Sequence, residues 1–242
     1  MRTKTITGFL LVSALSFATL ASAEVPEYQV MRTTGKITID GVLDEADWAA
    51  AKSVGDFVFK FWKEGEKEQT EVKLLWDDDF LYICYNCKDK HIWADHYNTN
   101  SDTYADDAVE LFWNPNPGAG DNYYMFEFNC IGNLLSVCND HKIPIKQNKI
   151  IPPHISQTIK GTVNNDSDED TGWILEVAVR FSDYPGLFDG STPKDGDMWR
   201  IGLNRCGGKV NPQESQWSPS QTRSFHSPKD FGKIFFSMKK VR

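Results

Sequence analysis

The chain has 242 residues, of which 40% are hydrophobic and 25% charged, and its formal net charge is −8 at pH 7. This length is enough to bury a sizeable core in one large domain or two small ones. An acidic chain attracts neither nucleic acid nor an anionic membrane surface, so the composition argues against both as partners.

The first 23 residues have the pattern of a signal peptide. Two basic residues, Arg2 and Lys4, precede an apolar run over residues 9–20, and residues 21–23 read A-S-A, the small residues that signal peptidase requires. The apolar run is too short to span a bilayer. We therefore expect cleavage before Glu24, export to the periplasm or the cell exterior, and no membrane insertion of the remaining chain.

The rest of the chain predicts strands. Residues 37–48 predict a brief strand, a turn at Asp40-Gly41 and a helical turn that carries Trp48. Runs that are rich in β-branched and aromatic residues, or that alternate between apolar and polar, predict strands at 57–62, 71–76, 80–87, 108–113, 123–130, 134–137, 155–163, 172–180 and 198–206. This pattern predicts an all-β fold, an antiparallel, jelly-roll-like β-sandwich, and no repeat or linker divides residues 24–242 into more than one domain.

Residues 104–113, Y-A-D-D-A-V-E-L-F-W, place a carboxylate in the middle of an apolar strand. Alternation puts Glu110 on the face opposite to Val109 and Leu111. A buried carboxylate is costly unless it is paired or hydrogen-bonded. The position of Glu110 therefore predicts that a cation, a metal ion, a set of hydrogen-bond donors or a ligand lies beside its carboxylate.

Other strands repeat this arrangement of one large apolar face and one polar face. The polar faces carry Glu110, Glu127, Asn129, Glu176, Arg180, Arg200 and Asn204. If these faces align, they suit a hydroxyl-rich ligand, because a hydroxyl donates to a carboxylate and accepts from arginine or asparagine. The alternative is a structural ion-pair network that binds nothing.

Aromatic side chains flank this predicted polar face. Tyr104 and Tyr123 lie at strand ends, and Trp217 and Phe225 lie in a loop-like segment near the C-terminus. A sugar ring packs its C–H faces against such side chains. The combination favours a saccharide as the ligand.

The five cysteines are an odd number for an exported protein, so at least one thiol is free or pairs with another chain. Cys84 and Cys87 have the C-x-x-C spacing of redox and zinc sites. They lie within a strand-like run, however, where a spacing of three puts the two sulfurs on opposite faces, which argues against both.

An acidic segment at residues 164–170 is a candidate calcium site, which makes calcium a possible cofactor. Asp166, Asp168 and Asp170 alternate as a coordinating loop would. Thr171 stands where an EF-hand loop has glycine, so that motif is not met. A solvated acidic turn is the simpler interpretation.

A series of motifs through most of the chain resembles the family 9 carbohydrate-binding modules and their family-9-like relatives, a β-sandwich group related to DOMON domains. The motifs are I-D-G-V-L-D-E-A-D-W, V-K-L-L-W-D-D-D-F-L-Y-I, D-D-A-V-E-L-F, Y-Y-M-F-E-F-N, G-W-I-L-E-V-A-V, G-D-M-W-R-I-G-L-N-R, S-Q-W-S-P and F-H-S-P-K-D-F-G-K-I-F-F. Each is modest alone, whereas their order and spacing together are specific.

The resemblance implies non-catalytic binding of a terminal sugar between two aromatic plates, which fall on Tyr104 and Phe225, with Glu110 as the acceptor. Glu127 stands where the family has an arginine, and Thr222 where it has an asparagine. Arg200 is a candidate to supply the guanidinium group that the family's arginine provides. The full predicted ligand site is Tyr104, Glu110, Glu127, Asn129, Arg200, Asn204, Trp217 and Phe225. The resemblance also implies structural calcium in some members and secreted glycoside hydrolases as partners in polysaccharide breakdown.

Two alternatives remain at this stage. Glu110 and Glu127 on neighbouring strands could act as the acid and the nucleophile or base of a glycoside hydrolase. Some DOMON relatives bind haem through Met, His or Lys, and the candidate ligands here are Met125, His91, His96 and His226. No serine or cysteine hydrolase signature and no phosphate-binding glycine loop is present.

Overall fold

Strands dominate the computed structural model, which describes residues 24–139, 150–185, 187 and 189–242. The predicted signal peptide lies outside the described residues. The strands are β1 (Glu27–Arg32), β2 (Thr70–Trp76), β3 (Phe80–Lys88), β4 (Ala108–Asn114), β5 (Tyr123–Asn129), β6 (Leu134–Asn139), β7 (His154–Lys160), β8 (Gly172–Arg180), β9 (Met198–Cys206), β10 (Glu214–Gln216) and β11 (Gly232–Lys240). The helix α1 (Ala46–Ala50) follows β1, and short 3-10 turns occupy Thr103–Ala105, Phe181–Asp183 and Pro228–Asp230.

These strands form one mixed sheet in the order β6-β5-β4-β9-β11-β1-β2-β3-β8-β7, with β10 paired to β9. Most neighbours are antiparallel, as predicted, but β1 runs parallel to both β11 and β2. The hairpin between β2 and β3 closes through Asp77, whose side chain accepts hydrogen bonds from the backbone N–H groups of Asp79 and Phe80.

The sheet curls so that its two halves face each other across the main hydrophobic core. Leu111, Phe126 and Leu203 from β4, β5 and β9 lie in the same core as Ile83 and Leu175 from β3 and β8. The hydroxyl of Tyr85 on β3 also donates to the carbonyl of Glu110 on β4 (3.1 Å). The predicted all-β sandwich is therefore confirmed.

Each half of the sheet also has an outer face with its own apolar cluster. Trp48 of α1 packs with Tyr82 and Cys84 over the outer face of β2, β3 and β8. Phe112 and Met125 belong to a separate cluster on the outer face of β4, β5 and β6. This second outer face positions the candidate site.

Residues 57–62 and Glu176 also differ from the sequence prediction. Residues 57–62 do not form a strand and contribute only an isolated bridge between Val58 and Gln216. Glu176 does not join the polar face of β4 and β5, because it lies on β8 and accepts hydrogen bonds from the backbone of Asp40 and Gly41 and from the indole of Trp48. Its role is to hold the turn and α1 against the sheet.

Candidate functional site

A row of side chains crosses five strands on the outer face of the half-sheet formed by β6, β5, β4, β9 and β10. Strand register places Glu127 opposite Leu135 on one side and opposite Glu110 on the other, and places Asn204 opposite both Glu110 and Gln216. Directly opposed residues on neighbouring strands have Cβ atoms about 5 Å apart. The alternation read from each strand thus brings the predicted glutamates and Asn204 together.

A cavity of about 910 Å³ opens over this row. The strands supply Glu110, Met125, Glu127, Leu135, Val137, Cys206 and Glu214, and the surrounding loops supply Asn100, Asp102, Tyr104, Gly207, Arg223, Ser224, Phe225 and His226. This volume lies in the range of small-molecule sites, and the mixture of aromatic, apolar and convergent polar groups is typical of them.

Glu110 lies at the buried base of the cavity and is 3% exposed. Its Oε2 accepts a hydrogen bond from the side-chain amide of Asn204 (3.0 Å), and its Oε1 accepts one from the thiol of Cys206 (3.4 Å). Burial raises the pKa of Glu110 to about 7, an effect that the two donors reduce and the nearby Glu214 carboxylate increases. Cys206 has its own pKa raised well above the ordinary value by burial and by Glu110, so it is a thiol donor here.

Buried hydrogen bonds link Glu110 to the loop that carries the far wall of the cavity. Asn204, which donates to Glu110, accepts from the side-chain amide of Gln216 (3.2 Å). The side-chain oxygen of Gln216 accepts in turn from the backbone N–H and hydroxyl of Ser220, whose hydroxyl also contacts the carbonyl of Thr222. We call Asn204, Gln216 and Ser220 the relay.

Aromatic side chains form the walls. Tyr104 is 48% exposed and belongs to the 3-10 turn before β4, whereas Phe225 is partly buried. Beside Phe225, the ring of His226 stacks on Phe112 (5.1 Å between centroids), and its Nδ1 shares a hydrogen bond with the hydroxyl of Tyr123 (2.7 Å). Both predicted aromatic plates therefore line the same cavity as Glu110.

The packing behind Phe112 depends on a glycine of β9. A Cβ added at Gly202 would lie 3.0 Å from the ring of Phe231 and 3.4 Å from the Cβ of Phe112. A larger residue would force Phe231 or Phe112 to shift, because core packing leaves little free space.

Several lining residues were not among the predicted ligand-binding residues. Arg223 lies two residues before Phe225, and its Nε is 3.5 Å from Oε2 of Glu214. Cys206 follows Asn204 by two residues on β9, and Met125 precedes Glu127 by two residues on β5, so alternation places both on the cavity face. No comparable signal exists for Arg223 or His226, because both belong to an irregular loop.

Four predicted ligand-binding residues, Arg200, Trp217, Asn129 and Asn204, do not line the cavity. Arg200 donates to the carbonyls of Lys229 (2.7 Å) and Phe231 (3.3 Å), so Arg223 and not Arg200 is the guanidinium at the site. Trp217 is buried in the main core, and its indole donates to the carbonyl of Val54 (2.9 Å).

Asn129, the third of these residues, donates to the carbonyl of His96 and to the carboxylate of Asp106 (both 2.8 Å). Asn204 does not line the cavity but supports Glu110 from beneath.

Among the described residues, which include the acidic segment, no three His, Cys, Asp or Glu side chains are grouped so that they could hold a metal ion. Asp170 accepts hydrogen bonds from the backbone N–H groups of Ile92 and Thr162, and Asp168 accepts from the side chains of Asn165 and Thr162. Asp168 and Asp170 thus accept hydrogen bonds from donors of the protein itself, and calcium binding by the acidic segment stays a prediction.

The remaining candidates of the sequence analysis are dispersed. Met125 and His226 line the cavity, whereas His96 forms an ion pair with Asp106 (2.9 Å) that raises the pKa of the imidazole. Cys84 lies in the cluster beneath α1 and Cys87 in the main core, on opposite faces of β3. No disulfide joins any of the five cysteines, all of which lie in the described part of the chain.

No helix among the described residues combines the length and the apolar character that crossing a membrane requires.

Solved structures of carbohydrate-binding proteins are similar in fold to this chain. A protein of Bacteroides uniformis ATCC 8492, named as a candidate carbohydrate-binding protein, matches with a TM-score of 0.67 and 20% identity, over 88% of this chain and 100% of its own. A carbohydrate-binding module of family 9 from Caldicellulosiruptor kristjanssonii matches in its cellotriose complex (TM-score 0.63, 16% identity, 88% of this chain and 94% of that chain). Its glucose complex matches equally (TM-score 0.62, 16% identity, 89% and 98%). At these identities the likeness establishes the fold.

The sequence itself identifies the family. No match was found among the curated proteins. The family model described as carbohydrate family 9 binding domain-like, in contrast, matches residues 39–238, which include every strand from β2 to β10 and all the cavity residues named above. The chain therefore belongs to the carbohydrate family 9 binding domain-like family.

Proposed function

We propose that this protein is a non-catalytic carbohydrate-binding domain that holds a saccharide between Tyr104 and Phe225, with Glu110 as the chief hydrogen-bond acceptor. The observation that carries the proposal is the cavity that contains both aromatic side chains and this buried carboxylate, in a chain of a carbohydrate-binding family.

The chemistry of the cavity matches a pyranose ring. Such a ring is apolar on its faces and polar around its edge, so it suits a site with aromatic walls and carboxylates at the base. Met125 and Val137 add an apolar part to the same base. Arg223 offers guanidinium N–H donors at the rim for ring or hydroxyl oxygens.

The structures similar in fold suggest where to look for the ligand. The Caldicellulosiruptor kristjanssonii module was solved with glucose and with cellotriose. Glucose and its β-linked oligomers are therefore the first probes for this chain, followed by xylan-derived and other plant or algal oligosaccharides.

The test is isothermal titration of the purified protein with these sugars. We expect binding of at least one of them, and we expect Tyr104→Ala and Glu110→Gln each to weaken it by about tenfold or more, since tenfold corresponds to only about 1.4 kcal/mol. Tyr97→Ala is a matched control, because Tyr97 is an exposed tyrosine (61%) that does not line the cavity.

Two results would contradict the proposal. One is the absence of heat with every sugar, in protein whose circular dichroism and melting curve show that it is folded. The other is release of sugar fragments from the oligosaccharides, lost in Glu110→Gln, which would assign the Glu110 and Glu127 pair to hydrolysis instead.

We also propose that the protein acts outside the cytoplasm, in the periplasm or beyond the cell, and holds polysaccharide near secreted glycoside hydrolases. The signal-peptide pattern of residues 1–23 supports this location. The N-terminal residue of the protein recovered from cells, measured by mass spectrometry, should be Glu24. Recovery from the cytoplasm of a chain that still begins at Met1 would overturn the proposal.

A further inference from the structure

The side of the cavity that lies over β5 and β6 has an apolar lining. Met125, Leu135, Val137 and Phe225 line the cavity there, and all four belong to or pack against one hydrophobic cluster. Register places Met125 of β5 opposite Val137 of β6, and Leu135 precedes Val137 by two residues, so these three side chains share the outer face of the sheet. We call Met125, Leu135, Val137 and Phe225 the apolar corner. A hydroxyl placed against these four side chains would lose water without gaining a hydrogen-bond partner from them.

The side-chain amide of Asn100 borders the apolar corner. Asn100 lines the cavity, and its backbone N–H donates to the carbonyl of Leu134 (2.7 Å). Its side-chain Oδ1 accepts from the backbone N–H of Ser136 (3.3 Å). Leu134 and Ser136 flank Leu135 in the chain, and β6 is the last strand on this side of the sheet. The two hydrogen bonds therefore hold Asn100 at the outer edge of β6, beside Leu135.

This arrangement leaves a hydrogen-bond donor of Asn100 available to a ligand. A backbone N–H can only donate, so the atom that faces Ser136 is the carbonyl oxygen Oδ1, and Nδ2 lies on the other side of the amide. In the described part of the chain, Nδ2 of Asn100 donates to no residue. Asn100 has a φ of +62°, in the left-handed region that asparagine tolerates better than most residues. The fold thus keeps an amide N–H donor next to an apolar surface.

An acetyl group combines the two features that this part of the cavity offers. Its methyl group is apolar, so burial against the apolar corner is favourable. Its carbonyl oxygen accepts hydrogen bonds, and Asn100 has a donor to give. A hydroxyl has no apolar part to bury there, and an ammonium or a carboxylate would lose water against apolar side chains. Phe225 is both part of the corner and one of the proposed aromatic plates, so a sugar ring stacked on Phe225 has its substituents close to the corner.

We infer that the cavity selects a saccharide that carries an acetyl group on the bound ring over the same saccharide without that group. The methyl group packs in the apolar corner, and the carbonyl oxygen accepts from Nδ2 of Asn100. The inference rests on the proposed function, since it concerns the ligand of the same site. The acetyl group has two sources, an amide on an amino sugar and an ester on a sugar hydroxyl, which share the methyl and the carbonyl.

The first test compares matched saccharides by isothermal titration near neutral pH. Cellobiose is compared with the diacetylated β-1,4 disaccharide of glucosamine, and acetylated xylo-oligosaccharides are compared with the same oligosaccharides after alkali has removed their esters. We expect at least one acetylated sugar to bind about tenfold more tightly than its unacetylated partner. A preference in the first pair alone assigns the amide as the source of the acetyl group, and a preference in the second pair alone assigns the ester.

The second test removes the donor of Asn100. Asn100→Asp keeps the size of the side chain, an acceptor for the N–H of Ser136 and a residue type that tolerates a positive φ, but a carboxylate cannot donate to an acetyl carbonyl. We expect the ratio of the affinities for the acetylated and the unacetylated sugar to fall toward unity. Asn98→Asp is the matched control, because Asn98 lies in the same loop, is exposed and does not line the cavity, and it should keep the ratio of the wild type.

The third test changes the apolar corner itself. Leu135 is only partly buried and lies on an edge strand, so we expect Leu135→Asn to fold, which its melting curve checks. The substitution places a polar amide where the methyl group would pack, and it should reduce the same ratio of affinities. Val42→Asn is the matched control, because Val42 is an exposed apolar residue (47%) outside the cavity.

The outcomes separate this inference from the proposed function. Equal affinity within both pairs of sugars, tighter binding of the unacetylated partners, or a preference that survives both Asn100→Asp and Leu135→Asn would overturn the selectivity and leave carbohydrate binding in place. Failure of these and all other sugars to bind the folded protein would overturn the proposed function and this inference with it.

Discussion

Two neutral side chains, Asn204 and Cys206, donate hydrogen bonds to the carboxylate of Glu110, but they do not replace the water that a carboxylate has in solution. Its pKa therefore rises from 4.5 to about 7. At neutral pH Glu110 is near its titration midpoint, so its protonation state affects both the stability of the fold and the charge that a ligand meets.

This shift predicts a dependence of stability on pH. A carboxyl whose pKa is raised on folding binds more protons in the folded state than in the unfolded state, so the free energy of unfolding falls as pH rises through the interval between the two pKa values. Replacing Glu110 with glutamine removes this contribution. We expect Glu110→Gln to gain stability relative to the wild type as pH rises from about 4.5 to about 7, by roughly 3 kcal/mol at most.

Urea denaturation of both proteins at several pH values measures this difference. The raised pKa of Asp107, also about 7, acts in the same direction, but it is present in both proteins and cancels in the comparison. Glu64→Gln is the matched control for the substitution at an exposed position. A difference between Glu110→Gln and the wild type that does not change with pH would contradict the raised pKa.

At the residue scale, alternation along a strand predicts which side chains share a face but not how far along the strand the site extends. Glu110, Glu127 and Asn204 come together as the alternation predicts. Arg200 shares the cavity-side alternation of Asn204 but lies four residues away, about 13 Å along the strand, where it meets the carbonyls of the C-terminal segment. Trp217 lies in a segment without strand alternation, so the sequence did not predict whether its side chain points into the core or into the cavity.

At the scale of elements, the relay joins β9 and β10 to the loop that carries Arg223 and Phe225. Gln216 is its central member and is 4% exposed, with hydrogen bonds to Asn204 on one side and Ser220 on the other. These partners are themselves buried, so loss of Gln216 would leave them unsatisfied.

We expect Gln216→Ala to lower the free energy of unfolding by about 1–3 kcal/mol, the usual cost of unsatisfied buried polar groups. We also expect weaker sugar binding, because Glu110 loses the fixed orientation of Asn204 and the loop loses its attachment to the sheet. Urea denaturation and titration with the best-bound sugar measure the two effects.

Gln221→Ala is the matched control for this prediction, because the side chain of Gln221 is exposed and lies outside the relay. If Gln216→Ala reduced stability but bound sugar as tightly as Gln221→Ala, the relay would be a structural network without influence on the site.

The elements with strong internal patterns were predictable. β8 and β9 have the predicted bounds, because large apolar residues recur at every second position through most of each strand. β1 was missed because only Val30 of its six residues is fully buried, so the segment lacks an apolar face. Residues 57–62 were wrongly predicted as a strand because they are rich in aromatic residues, which are common in strands. A strand is defined by its partners, and partners distant in sequence leave no local pattern.

At the scale of the whole molecule, the sequence predicted a sandwich but not how its sheet is closed. The apolar face of each strand indicates that two layers pack together, and the shared core confirms this. The parallel placement of β1 between β11 and β2 depends on residues at opposite ends of the chain, which no period or turn signal connects. The location of the cavity depends in turn on loops that pack over the outer face of the sheet. Loop conformation is the structural feature that is hardest to predict from a sequence.

The placement of β1 also constrains the order in which the molecule can assemble. In the strand order, β1 is the link between β11, on the side of the cavity, and β2, on the other side. Its pairing with β11 joins Glu27 to Lys233 near the far end of the chain, whereas its pairing with β2 involves only Met31 and Arg32. Contacts between such distant residues form slowly because a long loop must close first. A chain still being synthesised therefore lacks the contact between its two half-sheets until β11 emerges, more than 190 residues after β1.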